Sequence, residues 1–411
     1  MQQTAPASER LHIGIIGNTN SGKSSLFNIL TGQHAAIVSS RRGTTTDTVR
    51  KNAELPGIGP VVFIDTAGFG DDSELGAHRM EKTQESILSS DILLCVFSPD
   101  TFSEDKACLE WIKQVRSSKK TVIPVLAKSD VLKNSEYSEY VYKIIQLLNK
   151  KPVFFSSFID SGRSKSEILK KITESVPEDF CRKKTFTRNL CTENDTVLLV
   201  MPQDSGAPKG RLILPHVQIL RELLDKKCIV SCCTADKLTE TLSGLKKPPE
   251  LIITDSKVFR TVYEQKPEQS VLTSFSILMA AEKGDISRFL DGAAAIERLT
   301  ADSKVLIAEA CTHVPLEEDI GRKKIPDLLR KRIPGIQIDF MNGTDFPDFS
   351  PAAEKNALRQ YDLIIHCGAC MFNAVYVKAR QESAARAGIP LTNYGIAIAY
   401  LTGILSHVAI P

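Results

Sequence analysis

The sequence predicts an α/β protein of several domains: a P-loop nucleotide-binding domain followed by two further α/β domains with mainly parallel sheets. Three observations carry this. The chain has 411 residues, and at roughly 150 residues per domain that suggests two to four domains. Short apolar runs alternate with helical stretches along most of its length, the rhythm of βα units. The turn after the first apolar run reads Gly17-Asn18-Thr19-Asn20-Ser21-Gly22-Lys23-Ser24, a fit to G-x-x-x-x-G-K-[ST] between a strand and a helix.

The elements follow in order. Residues 1–10 are polar and read as a flexible tail. The first block spans 11–176, with strands expected at 12–16, 61–65, 92–97, 122–127 and 153–156, and a weaker one at 50–55. Residues 177–194 are charged and read as a linker. The second block, 195–275, holds strands at 196–201, 228–232 and 251–254 and a helix at 215–226, and its end is indistinct over 271–285. The third block, 276–411, holds strands at 304–308, 337–340 and 362–365, with helices at 318–332, 352–361 and 373–387. The apolar stretch 395–405 falls short of the roughly 20 residues of a membrane span and reads as a buried helix.

Composition narrows the function. Lys+Arg 52 against Asp+Glu 49 leaves a net charge of +3, too small to drive binding to nucleic acid or anionic lipid over the whole surface. Neither partner is expected. A hydrophobic content of 42% excludes a disordered chain. The first residues lack an apolar signal segment, so a cytoplasmic location is expected, and the ten cysteines suit metal, redox or core roles better than a disulfide framework.

The phosphate loop assigns roles by chemistry. Gly17 and Gly22 let backbone N–H groups turn around phosphates, Lys23 supplies a point charge to the β and γ phosphates, and Ser24 offers a hydroxyl to Mg2+. Asp65-Thr66-Ala67-Gly68 ends an apolar strand, where Asp65 suits Mg2+ and the Gly68 N–H suits the γ phosphate. Thr45, in the stretch Gly43-Thr44-Thr45-Thr46-Asp47, is the candidate for a second Mg2+ hydroxyl. Lys128-Ser129-Asp130 ends another strand, and a carboxylate there can accept both guanine N–H donors. Ser156 and Ser157 are positioned to close over the base. GTP and GDP are the expected nucleotides.

A second cluster lies far along the chain. Cys311-Thr312-His313 follows the strand expected at 304–308, and His366-Cys367-Gly368-Ala369-Cys370 follows that at 362–365. Parallel strands of one sheet would bring both to the same carboxyl edge, where open α/β sheets bind ligands. Three cysteines and two histidines suit either structural zinc or an iron–sulfur cluster, and spacing leaves both open. Cys95, Cys108, Cys181, Cys191, Cys228, Cys232 and Cys233 read as core or incidental. The basic run Arg322, Lys323, Lys324, Arg330, Lys331, Arg332 reads as a solvated helix face.

The first block resembles TrmE- and Era-type GTPases over 11–176. In that class Asn20 matches the loop asparagine of potassium-activated members, with Ser39 and Thr44 completing a K+ site. Phe69 stands where many GTPases carry glutamine, so slow intrinsic hydrolysis is implied. Ala127 departs from the asparagine that usually opens the guanine motif, which puts nucleotide affinity in doubt. The resemblance extends to the whole chain. The GTPase motifs with Cys311-Thr312-His313 and His366-Cys367-Gly368-Ala369-Cys370 resemble the HydF family of FeFe-hydrogenase maturation, as do Gly206-Ala207-Pro208-Lys209-Gly210-Arg211-Leu212, Ile253-Thr254-Asp255-Ser256, Glu318-Asp319-Ile320-Gly321-Arg322 and Thr392-Asn393-Tyr394-Gly395. It implies a P-loop GTPase domain, a dimerisation domain and a cluster-binding domain, and a homodimer. Cys311, Cys367 and Cys370 would hold a 4Fe-4S cluster, with His313 and His366 as accessory residues, either behind the ligands or alternative ligands themselves. A di-iron precursor built with two radical-SAM maturases would be the cargo and apo FeFe-hydrogenase its recipient. The expected nucleotide-binding residues are Gly17, Asn18, Asn20, Ser21, Gly22, Lys23, Ser24, Ser25, Thr44, Thr45, Asp65, Gly68, Lys128, Asp130 and Ser156. Lys23, Asn20, Thr45 and Gly68 are the expected catalytic ones.

Overall fold

The computed structural model describes residues 6–32, 48–69, 76–102, 111–113, 115–116, 120–131, 134–156, 161–181, 185–202, 212–309, 320–343, 346 and 357–411. The chain forms two compact units, one over residues 1–182 and one over most of 183–411.

The first unit is built on a six-stranded sheet of order β2-β3-β1-β4-β5-β6. Its strands are β1 (Leu11–Gly17), β2 (Val49–Leu55), β3 (Gly59–Asp65), β4 (Ile92–Phe97), β5 (Thr121–Ala127) and β6 (Val153–Phe155). Only β2 runs antiparallel. The helices are α1 (Lys23–Thr31), α2 (Gly76–Ser89), α3 (Asn134–Leu148) and α4 (Ser161–Glu174). β1 is buried over its whole length because both faces are covered. Leu11, Ile13 and Ile15 pack with Leu26 and Phe27 of α1 and Ile168 and Ile172 of α4. Ile16, Leu93 and Cys95 face the opposite core with Ile87, Trp111 and Ile144. Alternation along the strand thus divides its residues between two cores.

The second unit carries two four-stranded parallel sheets. One has order β10-β9-β7-β8, from β7 (Thr196–Val200), β8 (Ile229–Cys233), β9 (Leu251–Thr254) and β10 (Val271–Ser274). The other has order β12-β11-β13-β14, from β11 (Lys304–Ala308), β12 (Gln337–Met341), β13 (Leu363–His366) and β14 (Leu391–Asn393). Counted from its own first strand, each sheet reads 2-1-3-4. The chain reverses direction across each sheet between its first and third strands, so each has a switch-point crevice there, between β7 and β9 and between β11 and β13. The helices are α5 (Leu214–Asp225), α6 (Leu238–Gly244), α7 (Phe259–Gln265), α8 (Phe275–Lys283), α9 (Ile286–Ala294), α10 (Ile325–Arg332), α11 (Ala374–Ala387) and α12 (Tyr394–Leu401).

Several expectations change. Ser8 and Arg10 are buried, so the end of the expected flexible tail packs on the first unit. The expected linker is anchored: Phe186, Thr187 and Cys191 are buried, and Glu222 of α5 accepts from the Phe186 N–H at 2.6 Å and the Thr187 hydroxyl at 2.6 Å. The indistinct stretch 271–285 is β10 followed by α8. That helix lies past the expected boundary at 275, yet Phe275, Leu278 and Met279 belong to the core of the second sheet. β14 was not anticipated, being only three residues long. The helix expected at 318–332 begins as a π-helical turn, Ile320–Lys324. Of the helix expected at 352–361, the described part is a single 3-10 turn, Ala357–Gln360. Among the described residues no helix is long and apolar enough to cross a membrane.

Candidate functional site

The phosphate loop is set by the packing of β1. A Cβ on Gly17 would lie 2.2 Å from the Val96 carbonyl oxygen of β4, so this position requires glycine. Gly22 turns into α1 at φ +96°. Lys23 is buried and its Nζ donates to the Asn18 carbonyl at 2.8 Å. Burial pushes its pKa down to about 8, against the pull of Asp65. Asp65 is fully buried at the end of β3. Burial raises its pKa, while Lys23 and the 2.8 Å hydrogen bond from Ser24 Oγ lower it. Asp65 Oδ1 and Ser21 Oγ are buried without a hydrogen-bond partner. A buried carboxylate oxygen in that state is costly. Beside a serine hydroxyl, a lysine and a helix N-terminus, it fits a Mg2+–nucleotide complex.

The loop is fastened to the segment after β3. The Thr19 N–H donates to the Phe69 carbonyl at 3.0 Å, and the Phe69 N–H to the Gly17 carbonyl at 3.2 Å. A Cβ on Gly68 would meet the Thr19 backbone nitrogen at 2.6 Å, so Gly68 is a place of close backbone approach. Phe69 is buried and stacks on Trp111, centroids 5.3 Å apart. It therefore cannot orient a water. The side chain of Asn18, a residue expected to bind nucleotide, accepts from Trp111 Nε1 at 2.9 Å and donates to the Thr101 carbonyl at 2.9 Å. Trp111, which ties Phe69 to Asn18, was not anticipated as part of the site.

On the base side, Lys128 adopts φ +54° and its Nζ donates to the Asn20 carbonyl at 2.9 Å and to Asp100 Oδ2 at 2.6 Å. It links the guanine motif to the loop. Asp130 is exposed on the turn Ser129–Val131, and Ser156 is buried just after β6. Ala127 faces the loop: a Cβ on Gly22 would lie 3.3 Å from the Ala127 Cβ. Ser25 sits half-buried in the first turn of α1. Asn20 takes φ +63°. Ser39, Thr44 and Thr45, expected for K+ and Mg2+, lie outside the described residues, as does Ser157.

At the third sheet, β11 and β13 are parallel neighbours with Ala308 opposite His366, and the Cys367 N–H donates to the Ala308 carbonyl at 2.9 Å. Cys311 and His313 lie outside the described residues, but the strand that leads to them ends beside Cys367. Cys367 and Cys370 are half-buried and in no disulfide. The Ala369 N–H donates to Cys367 Sγ at 3.4 Å, and Ala369 takes φ +49°, a strained conformation for a residue with a Cβ. Among the described residues no group of three or more metal-binding side chains is gathered.

His366, expected beside the cysteines as a residue behind the ligands or an alternative ligand, has both ring nitrogens occupied by protein groups. Its Nδ1–H donates to the Cys367 carbonyl at 2.8 Å, and its Nε2 accepts from Arg380 Nη1 at 2.9 Å. Both ring nitrogens are engaged, so His366 orients the loop from behind. Burial, with Arg380 and Lys283 nearby, pushes its pKa down to about 3, so the ring is neutral. Arg380 is buried and lies 4.6–4.9 Å from the ring centroids of Phe346, Phe372 and Tyr376. Lys283, also buried, donates to the carbonyls of Ala369, Phe372 and Cys370 at 2.7, 2.8 and 3.3 Å. Sequence reasoning missed both cations. Two cysteines in a cationic pocket, one receiving an amide N–H, fit an anionic sulfur-ligated cluster.

Neighbouring residues support this edge. Arg322 pairs with Glu309 at 2.8 Å and lies over the Phe340 ring, and Lys324 donates to the carbonyls of Ser256 and Lys257. Neither belongs to the solvated face expected of the basic run. Cys95, Cys191 and Cys228 are core thiols as expected, whereas Cys232 is exposed. Cys108 lies outside the described residues.

The fold and the first site define a P-loop GTPase joined to two parallel α/β domains. Residues 12–128 match the family model described as 50S ribosome-binding GTPase. Residues 186–284 match the hydrogen maturase F dimerization domain and 287–411 the hydrogen maturase F tetramerization domain. These two domains cover more than half of the chain, which belongs to the hydrogen maturase F family. Similar curated proteins include a tRNA modification GTPase MnmE from Lachnoclostridium phytofermentans, 28% identical over 61% of this chain and 51% of that protein. A GTPase Der from Kosmotoga olearia is 32% identical over 40% of this chain and 38% of that one. The chain spans about half or less of the length of the curated relatives it matches. Aquifex aeolicus Era bound to GDP and AlF4− aligns at 18% identity and a TM-score of 0.37, over 54% of this chain and 92% of that one.

Proposed function

We propose that this chain is a GTPase and iron–sulfur scaffold of FeFe-hydrogenase maturation, which carries a di-iron precursor and delivers it to apo-hydrogenase. The observation that carries the reading is the pairing of β11 with β13, whose carboxyl ends lead to Cys311 and to Cys367 and Cys370. These three cysteines hold the 4Fe-4S cluster, and the cluster supplies an iron with an exchangeable position for cargo. His366 orients the Cys367 carbonyl, and Lys283 and Arg380 back the loop.

At the first site Lys23 and the loop amides bind the GTP phosphates, and Ser24, Asp65 and Thr45 hold Mg2+, which neutralises phosphate charge. Gly68 contacts the γ phosphate, and Asp130 selects guanine. With Phe69 buried against Trp111, hydrolysis is slow without help, and K+ held by Asn20, Ser39 and Thr44 supplies it. Two radical-SAM maturases load the precursor. The chain works as a homodimer, a reading supported by exposed apolar residues on the edge strand β8 and on α5: Ile229, Val217 and Leu224. GTP acts on partner exchange, so affinities for maturases and hydrogenase should differ between GTP, GDP and nucleotide-free forms. Equal affinities would remove that role.

The test is anaerobic reconstitution of the full chain, iron and sulfide analysis, and EPR of the reduced protein. About four iron and four sulfide per chain are expected. Stoichiometric zinc without sulfide would overturn the scaffold reading in favour of a structural metal site.

A further inference from the structure

We propose that Lys283 and Arg380 are positioning residues that shape the cysteine loop and give it two buried positive charges, so that it favours an anionic metallocluster and that cluster's reduced state. The inference rests on the reading of the cysteines as cluster ligands.

Lys283 Nζ contacts three carbonyl oxygens, those of Ala369, Cys370 and Phe372. A neutral amine has two hydrogens to donate, so three acceptors require the ammonium form. Arg380 is charged at any ordinary pH. Both side chains belong to residues at most 4% exposed, where water screens their charge little. The peptides that carry these carbonyls have the N–H groups of Cys370, Met371 and Asn373, and trans geometry turns those N–H groups away from Lys283. The lysine holds the strained backbone of Ala369 on its carbonyl side, and the N–H of the preceding peptide, that of Ala369, donates to Cys367 Sγ. Arg380 acts through a second route, since it fixes His366, and His366 holds the Cys367 carbonyl. The potential of a cluster follows the net charge and hydrogen bonds around it. Both cations therefore ease the uptake of one electron from a reductant such as dithionite.

The test uses the full chain, reconstituted anaerobically, with the cluster midpoint potential read by EPR during a dithionite titration. Lys283→Gln keeps hydrogen-bond donors and removes the charge. It should retain iron and sulfide yet shift the midpoint to a more negative potential, and Lys283→Arg should restore a value near that of the unaltered chain. Arg380→Gln should shift the potential in the same direction. Full iron content with an unchanged potential in both Gln variants would overturn the proposal. Loss of the fold in both, seen by thermal unfolding, would overturn it too, because the cations would then be structural. If the unaltered chain takes up no iron or sulfide, the cluster reading itself fails, and this is known before any variant is compared.

Discussion

The crevice between β7 and β9 and the crevice between β11 and β13 occupy the same place in two sheets of identical strand order. Their contents differ. In the first, His216 Nε2 meets Asp255 Oδ2 at 3.0 Å, the imidazole packs 4.5 Å from the Phe275 ring, and the Thr254 hydroxyl donates to the Val200 carbonyl. These polar groups bond one another across the crevice. In the second, a loop bearing Cys367 and Cys370 projects past the strand end with its backbone turned onto Lys283. The scaffold alone does not decide which edge does chemistry, since function belongs to side chains grafted on it. One crevice is interlocked and serves the architecture, while the other presents sulfur.

The strongest way to break this comparison is Cys367→Ala. It should abolish iron and sulfide binding almost completely while GTP hydrolysis stays within about twofold. Lys23→Ala should do the reverse, lowering hydrolysis by ~100-fold or more, the order expected when a preorganised charge is removed from a reacting phosphate. Metal analysis and phosphate release on the same preparations decide both. Next in size is Glu222→Ala, which strips the buried acceptor of Phe186 and Thr187. It should cost about 3 kcal/mol of stability by denaturant unfolding, with iron uptake retained by the folded protein. His216→Ala should cost about 2 kcal/mol for the orphaned Asp255 and also leave iron uptake intact. Iron loss in folded His216→Ala would mean that the two crevices act as one site. The smallest effect is chemical. Burial pushes Cys228 up to about 12, and Cys95 higher still. Neither should react with iodoacetamide at pH 8 in the native chain. Cys367 and Cys370 should react in the metal-free chain and be protected after reconstitution, as read by peptide mass spectrometry.

Much of this was legible in local sequence. The phosphate loop declares itself through glycine spacing, and the buried strands through continuous apolar runs such as Ile92–Phe97. The parallel pairing of the two strands that precede the cysteine motifs was readable from their apolar runs. What local sequence hides is long-range pairing. Lys283 lies 86 residues from Ala369 and reads as an ordinary helix-ending lysine until the fold brings them together. Arg380 sits among helix-forming residues, and its burial depends on three aromatic rings around it. Phe186 looked like part of a polar linker because its neighbours are charged, and its acceptor, Glu222, is 36 residues away. The partner of the Asn18 side chain was equally hidden, since it is the chain's only tryptophan, 93 residues away.

Helix α8 has one end in each half of the second unit. Phe275 contributes to the core of the second sheet, Ser276 donates to Asn393 of β14, and Lys283 reaches the cysteine loop. The family boundary at residue 287 falls just after this helix. A C-terminal fragment cut there would keep the whole third sheet and every candidate cysteine. It would also have lost the lysine side chain onto which the carbonyls of the cysteine loop are turned. Such a fragment is a poor surrogate for the intact chain, because its cysteine loop lacks the side chain that holds it.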